Sequence, residues 1–181
     1  MNVVFKKITE DNLKLACKIQ NEIFPKENAK ANYLEQINND SSKKEMDYNI
    51  VYLDDNPIGI TGLYSYNEYP LDAWLGWFGI LNSFRNKGYG RLVLRKTIEM
   101  AKDKGYKNIR IYTDEFATKA QHLYESEGFI KESYDREDDK DEFFIAKVYI
   151  YSKSLNNRQI DLWNNKIIWL KEQGRKEQLY K

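Results

Sequence analysis

Cysteine and histidine are almost missing from this chain: its 181 residues include one of each, Cys17 and His122. A lone cysteine excludes an intramolecular disulfide and a cysteine-rich metal site, and a lone histidine argues against a His-ligated zinc centre, so no metal is expected. A reducing cytoplasm fits best. No apolar run approaches the ~18 residues of a membrane span, and Met1 to Glu10 lacks the apolar core of a signal peptide, so a soluble, cytoplasmic chain with no membrane partner is expected. Net charge is nearly absent as well. With 29 basic and 28 acidic residues the formal charge is +1, which gives no reason to expect nucleic acid as a partner. Any charge used for binding must be local.

What the chain has in quantity is tyrosine, 14 residues, which mostly serves half-buried strands. The length suits one domain with a real core, or one domain with an appendage. Val3-Val4-Phe5 reads as a strand, and Leu13, Ala16, Cys17, Gln20, Ile23 and Phe24 then recur at helical spacing. Thr9 is a good N-cap, with Ile8 and Leu13 as its hydrophobic staple, and Pro25 closes the helix. Cys17 sits on the apolar side of that helix and reads as a small buried hydrophobe rather than a nucleophile. Ala29, Tyr33 and Ile37 suggest a second short helix. Tyr48–Leu53 and Ile58–Tyr66 form a predicted hairpin around Asp54-Asp55-Asn56-Pro57, and Asn67–Leu71, with Pro70, forms a second turn.

Ala73–Leu81 is apolar on both alternating faces, as expected of a strand covered on both sides. A short loop with two glycines follows, Arg85-Asn86-Lys87-Gly88-Tyr89-Gly90. Leu94, Ile98 and Ala101 then mark a helix that Gly105 stops. Ile109–Thr113 is a strand, Ala117, Ala120, Leu123 and Tyr124 a helix ended by Gly128, and Phe129–Tyr134 with Glu142–Tyr151 a hairpin around the acidic turn Asp135–Asp141. The strand, helix, strand succession in the middle predicts parallel neighbours. After Leu155, the three- and four-residue steps of Ile160, Trp163, Ile167 and Leu170 predict a C-terminal helix that either covers the sheet or binds a second copy of the chain as a homodimer. The expected organisation is a main domain over 1–151 and a helical extension over 152–181.

Glycine lets a backbone turn tightly and approach a ligand, and the N–H groups at a helix start suit an anion. Two phosphate loops are excluded by spacing. Gly90 is followed by Arg91-Leu92 rather than Lys and Ser or Thr, and Val93 stands where a dinucleotide fingerprint needs its third glycine. What remains fits [Gln/Arg]-x-x-Gly-x-[Gly/Ala]. Together with the two-sided strand before it, the helix after it and Leu123-Tyr124-Glu125-Ser126-Glu127-Gly128-Phe129 some 35 residues on, the chain resembles the GCN5-related N-acetyltransferase (GNAT) family from about Val3 to Tyr151, including the Ile23-Phe24-Pro25 end of the first helix.

That resemblance implies an α/β (α+β) fold: a mixed, mostly antiparallel sheet with splayed central parallel strands and flanking helices, here with the C-terminal helix added. It implies acetyl-coenzyme A as co-substrate, its pyrophosphate held by Arg85, Asn86, Lys87, Gly88, Tyr89 and Gly90 and its pantetheine by the backbone of Gly79, Ile80 and Leu81. One of those N–H groups would face the thioester oxygen. Tyr124 matches the tyrosine that protonates the leaving thiolate in many members. His122, two residues earlier, reads as a surface residue rather than a base. The chain departs from the family in two places. Ala117 replaces an asparagine that hydrogen-bonds the coenzyme, so that bond is either missing or made by Thr118. Trp74 holds the position of a strand carboxylate used as general base, leaving Asp72, then Glu68 and Glu115, as substitutes, or water if the amine has a lowered pKa. The implied activity is direct transfer of an acetyl group to a primary amine of a small molecule or peptide. The alternative is a non-catalytic protein that binds acyl-coenzyme A for regulation.

Overall fold

The structure, a computed structural model, describes residues 2–39, 43–137, 145–156, 158–166, 168–170 and 175–177. It divides into two units, Met1–Tyr106 and Lys107–Lys181.

The first unit contains β1 (Val3–Lys7), α1 (Leu13–Ile23), α2 (Lys30–Asn38), β2 (Lys43–Leu53), β3 (Asn56–Tyr66), β4 (Asp72–Leu75), β5 (Gly79–Ile80) and α3 (Tyr89–Asp103). Its strands run β1-β2-β3-β4, with β5 also on β3, and every pair is antiparallel. Thr9 precedes a 3-10 turn, Glu10–Asn12, rather than the α-helix itself, and its N–H donates to Asn12 Oδ1 at 2.8 Å. The β2–β3 turn is tighter than expected. Leu53 pairs with Asn56, and Asp54 takes a left-handed φ of 53°, which suits a two-residue hairpin loop.

Alternation along β2 sorts side chains to two faces, and on β3 the register shift opposite Val51 and Tyr52 takes Ile58 out of the cluster of Ile60. Ile8, Ala16, Ile19, Tyr33, Tyr48 and Ile60 share one core cluster, while Val51, Ile58 and Val93 share another. Gln36 ties α2 to the sheet through its side chain, donating to the carbonyls of Ile8 and Tyr48 at 2.9 and 3.1 Å and accepting the Tyr48 N–H at 2.5 Å. On α3, Thr97 meets Thr61 of β3 at 2.9 Å, hydroxyl to hydroxyl. Gly105 follows the helix with φ 82°, the left-handed stop its position predicts.

The single strand expected over Ala73–Leu81 is interrupted. Gly76 donates to Gly62 at 3.0 Å, and Gly79 lies opposite Ile60, so two residues, Trp77 and Phe78, oppose Thr61 alone. This is a β-bulge, and Trp77 within it has φ 48°. Uniform apolarity concealed the break, because a bulge changes pairing and leaves hydrophobicity unaltered.

The second unit contains β6 (Asn108–Asp114), α4 (Thr118–Ser126), β7 (Ile130–Glu137), β8 (Ile145–Ser154), β9 (Ile168–Leu170) and β10 (Arg175–Glu177). Its three longer strands are antiparallel in the order β6-β8-β7. Gly128 ends α4 with φ 79°. Much of the acidic turn expected over Asp135–Asp141 lies outside the described residues.

The expected C-terminal helix is corrected: beyond Leu155 the described residues form turns and an antiparallel β9–β10 pair. The physical reason is capture of the backbone by side chains of the sheet. Glu132 Oε2 accepts the Trp163 N–H at 2.6 Å and Oε1 the Asn164 N–H at 2.8 Å, while the Tyr134 hydroxyl accepts the Asn165 N–H at 2.9 Å. Asn164 and Asn165 are both left-handed, φ 52° and 55°, a conformation that no right-handed helix contains. Among the described residues no helix is long and apolar enough to cross a membrane.

Candidate active site

The glycine loop begins where β5 ends. Gly79 pairs with Ile60, and Leu81 donates its N–H to the Ile58 carbonyl at 2.9 Å, so both use their backbone toward β3. Strand alternation then turns the N–H and carbonyl of Ile80 to the other edge. Of the three strand residues expected to meet a ligand through the backbone, Ile80 is therefore the one whose N–H faces away from β3. The Ile80 carbonyl accepts the Arg85 Nε at 2.8 Å, so the Arg85 side chain braces the loop against the strand that precedes it.

The chain next makes a 3-10 turn, Asn82–Phe84, and passes two left-handed residues, Asn86 at φ 59° and Gly88 at φ 83°. Asparagine tolerates this region, and glycine occupies it without strain. A Cβ built on Gly88 meets no atom within 4 Å, so the space beside Gly88 is open. Gly88 is the N-cap of α3, and the first-turn N–H groups of the helix emerge there with no acidic residue in that turn. Arg85, Asn86, Lys87, Gly88 and Arg91 are exposed, whereas Tyr89 and Gly90 are half-buried. Lys87 Nζ donates to the Ser83 carbonyl at 2.9 Å, which holds its charge over the loop. These residues fit a pyrophosphate: a turn of left-handed backbone, a helix start and local cations are what a dianion needs.

Tyr124 belongs to the second unit, on α4. It is buried, packed edge-on against Tyr151 with centroids 5.4 Å apart and tilted against Phe129 at 6.1 Å. Burial pushes its phenol well above the ordinary tyrosine range, so it stays protonated and can donate a hydrogen bond. Ala117 is the N-cap of α4, and the Asp114 carboxylate accepts the N–H groups of Phe116 and Ala117 at 2.8 and 3.2 Å. His122 is exposed.

Among the substitute carboxylates, Asp72 opens β4 and is 5% exposed, with its N–H on the Tyr69 carbonyl at 3.1 Å. Glu68 is exposed. Glu115 is engaged with Lys147, whose N–H it accepts at 3.2 Å. Trp74 is fully buried, stacked on Tyr64 at 6.3 Å and edge-on to Tyr66 at 6.0 Å, so it belongs to the core. On α1, burial raises the Cys17 thiol, with Lys30 pulling the other way; the net effect disfavours a thiolate nucleophile.

Two features carry no sequence signal. Glu35 and Lys43 are both buried with charged atoms 3.8 Å apart, and Lys43 Nζ lies 5.3 Å from the Tyr64 ring centroid. Burial draws Lys43 down to about 8. Charged residues in a polar stretch read as solvated, and only the fold brings these two inside. The other is the link between Trp77 and Asn32, whose indole N–H to Oδ1 distance is 3.0 Å. It joins residues 45 positions apart.

Residues 13–129 match the model of the Acetyltransferase (GNAT) family, and the chain belongs to that family of N-acetyltransferases. No curated protein sequence matches it. Among solved structures, a GNAT-family acetyltransferase from Streptococcus pneumoniae superposes with a TM-score of 0.64 at 17% identity, covering 84% of this chain and 99% of that one. The spermidine N-acetyltransferase of Vibrio cholerae, in complex with CoA and spermine, gives 0.65 at 19% identity over 84% and 95%. The ribosomal-protein-S18-alanine N-acetyltransferase of Escherichia coli gives 0.66 at 14% identity over 90% and 99%. At these identities the likeness is one of fold.

Proposed function

We propose that this protein transfers an acetyl group from acetyl-coenzyme A directly to a primary amine of a small molecule or peptide. The observation that carries the reading is the loop Arg85–Gly90, with its left-handed Asn86 and Gly88, the open space beside Gly88 and the helix start directly after the outward-facing Ile80 N–H. Acetyl-coenzyme A, when bound, supplies the acyl group as a thioester. The loop amides and Lys87 hold the pyrophosphate, and Ile80 N–H donates toward the thioester oxygen as negative charge develops there, an interaction worth a few kcal/mol when preorganised. Tyr124, kept protonated by burial, donates to the departing sulfur. Asp72 is the carboxylate assigned to take the ammonium proton of the acceptor. The acceptor enters along the segment from Phe24 to Tyr33 and the turn Glu68–Asp72. The structural neighbours include N-acetyltransferases for amines as different as spermidine and an alanine of ribosomal protein S18, so the acceptor class is left as a primary amine.

Saturating acetyl-coenzyme A is expected to stabilise the fold by roughly 2.7 kcal/mol at a hundred times its dissociation constant. The absence of any thermal shift would remove coenzyme binding altogether. Thiol release across a panel of amines then separates this reading from its alternative. Ala117 and Trp74, where polar groups are usual in the family, favour a regulatory protein that binds acyl-coenzyme A without turnover. Turnover with any amine, reduced about a hundredfold by Tyr124→Phe, supports the enzyme and the proton-donor role. Full activity in that variant would strike Tyr124 from the site.

A further inference from the structure

Trp77 is the residue of the first unit whose backbone has least reason to be where it is. A left-handed φ of 48° is an outlier for a bulky side chain, of the kind that persists only where its surroundings over-determine it. Those surroundings are specific. The indole N–H donates to Asn32 Oδ1 on α2 at 3.0 Å, and the ring packs edge-on against Phe24, at the end of α1, with centroids 5.7 Å apart and planes at 64°. Phe24 is itself fixed, its N–H on the Gln20 carbonyl at 2.7 Å. The buried Gln20 side chain reaches past it, donating to the Glu27 carbonyl at 3.1 Å and accepting the Ala29 N–H at 3.4 Å. Two residues beyond Trp77, a Cβ on Gly79 would lie 2.4 Å from Ile23 Cγ2 and 3.3 Å from the Phe24 ring. The end of α1 thus bears directly on β5, at the point where Trp77 reaches across to α2.

We propose that Trp77, Asn32 and Phe24 form a latch. It holds the bulge in its left-handed form, fixes the outward direction of the Ile80 amide, and couples the α1–α2 segment that borders the acceptor to the strand that orients the acyl donor. Trp77 is then a positioning residue, acting through the Ile80 N–H. The inference rests on the acyl-transfer reading, but the latch itself is a property of the free protein. If the indole were released from Asn32, the strained φ would lose its support and the bulge would relax, and the Ile80 amide would turn with it. A misplacement of about 1 Å at a reacting centre is enough to slow a reaction up to a hundredfold.

Trp77→Phe keeps a ring on Phe24 and deletes the donor; Asn32→Ala deletes the acceptor; Asn32→Asp keeps an acceptor oxygen. Hydrogen exchange of the amides in 76–81, read by mass spectrometry on the unliganded protein, is expected to quicken in Trp77→Phe and Asn32→Ala and to stay at the wild-type rate in Asn32→Asp. With the reactive amine from the panel, kcat is expected to fall ten- to a hundredfold in the first two variants, with the acetyl-coenzyme A KM within twofold of wild type. Asn32→Asp recovers most of kcat. The double variant Trp77→Phe/Asn32→Ala is no slower than either single one, as two halves of one contact require. Exchange unchanged in Trp77→Phe and Asn32→Ala overturns the latch. Faster exchange with kcat unaltered, or an Asn32→Asp as slow as Asn32→Ala, overturns its role in positioning. Wild-type protein inert toward every amine counts against the acyl-transfer reading, and the exchange measurement still decides the latch.

Discussion

Gly88 and Gly79 exclude a side chain for opposite reasons. At Gly88 the obstacle is the backbone, with φ 83°, while a methyl group would meet nothing within 4 Å. Gly88→Ala is therefore expected to cost only about 1 kcal/mol of stability but, with the loop in its proposed coenzyme-binding role, to weaken acetyl-coenzyme A binding severely, because the new Cβ projects into the open space beside the loop. Gly79 carries no such φ, and its obstacle is Ile23 Cγ2 at 2.4 Å. Gly79→Ala is expected to destabilise by about 1–3 kcal/mol through overpacking, with part of the loss recovered by adding Ile23→Ala. Urea unfolding checks both, and a Gly79→Ala as stable as wild type would mean that α1 yields freely. The contrast explains what was legible at this scale. Gly88 announces itself because a left-handed turn before a helix has a local chemical requirement that sequence displays. Trp77 is equally left-handed and displays nothing, since its reason is Asn32, 45 positions earlier. The same holds for Leu81: it belongs to the expected backbone platform by position, but only the pairing with Ile58 shows that its N–H is already used.

Elements whose signal is periodic were readable: the amphipathic stripe of α3, its Gly105 stop, and the alternation of β2, β3, β6 and β8. The C-terminal segment shows where periodicity fails. Ile160, Trp163, Ile167 and Leu170 step as a helix would, yet the buried Arg110 donates to the Asp161 carbonyl at 2.6 Å and to Ser152 Oγ at 2.7 Å, and Glu132 binds the next backbone N–H groups. Trp163 is fully buried, with the Arg110 guanidinium 5.3 Å from its ring centroid. The segment over 158–166 is thus built into the second unit. Trp163→Ala is expected to cost about 3–5 kcal/mol, as for other large-to-small changes in a core. Glu132→Ala, which strips backbone donors of their acceptor, is expected to cost about 1–3 kcal/mol. Denaturant unfolding of the full chain measures both. A neutral Trp163→Ala would mean that the segment is an appendage after all.

Over the whole molecule the charges nearly cancel, so pH dependence comes from particular clusters, and one lies at the far end of the helix that carries the glycine loop. Lys104 caps α3 and binds Glu45 at 2.5 Å and Asp47 at 2.9 Å on β2, while the Tyr106 hydroxyl donates to Glu45 at 2.7 Å. Burial pushes the Glu45 carboxyl up, but hydrogen bonds from Lys104 and Tyr106 outweigh it and leave it below its ordinary value; Asp47 is likewise lowered, by Lys104 and Asn49 against burial. Carboxylates depressed in the folded state contribute stability that is complete above their unfolded values, about 4, and is lost as pH falls through the lower folded ones. Lys104 has the opposite sign: burial lowers it, its two carboxylates more than compensate, and its contribution is complete below the unfolded lysine value of about 10.4 and lost above its raised folded one. Lys104→Met should therefore destabilise the fold at pH 7 and much less near pH 3, where both carboxylates of wild type are giving up their charge. Urea titrations at the two pH values give the comparison. Acetyl-coenzyme A affinity at pH 7 should be unchanged, because the substitution lies at the C-terminal end of α3 and the loop at its N-terminal end. An equal loss of stability at both pH values would show that Lys104 acts through its packed stem and not through its charge.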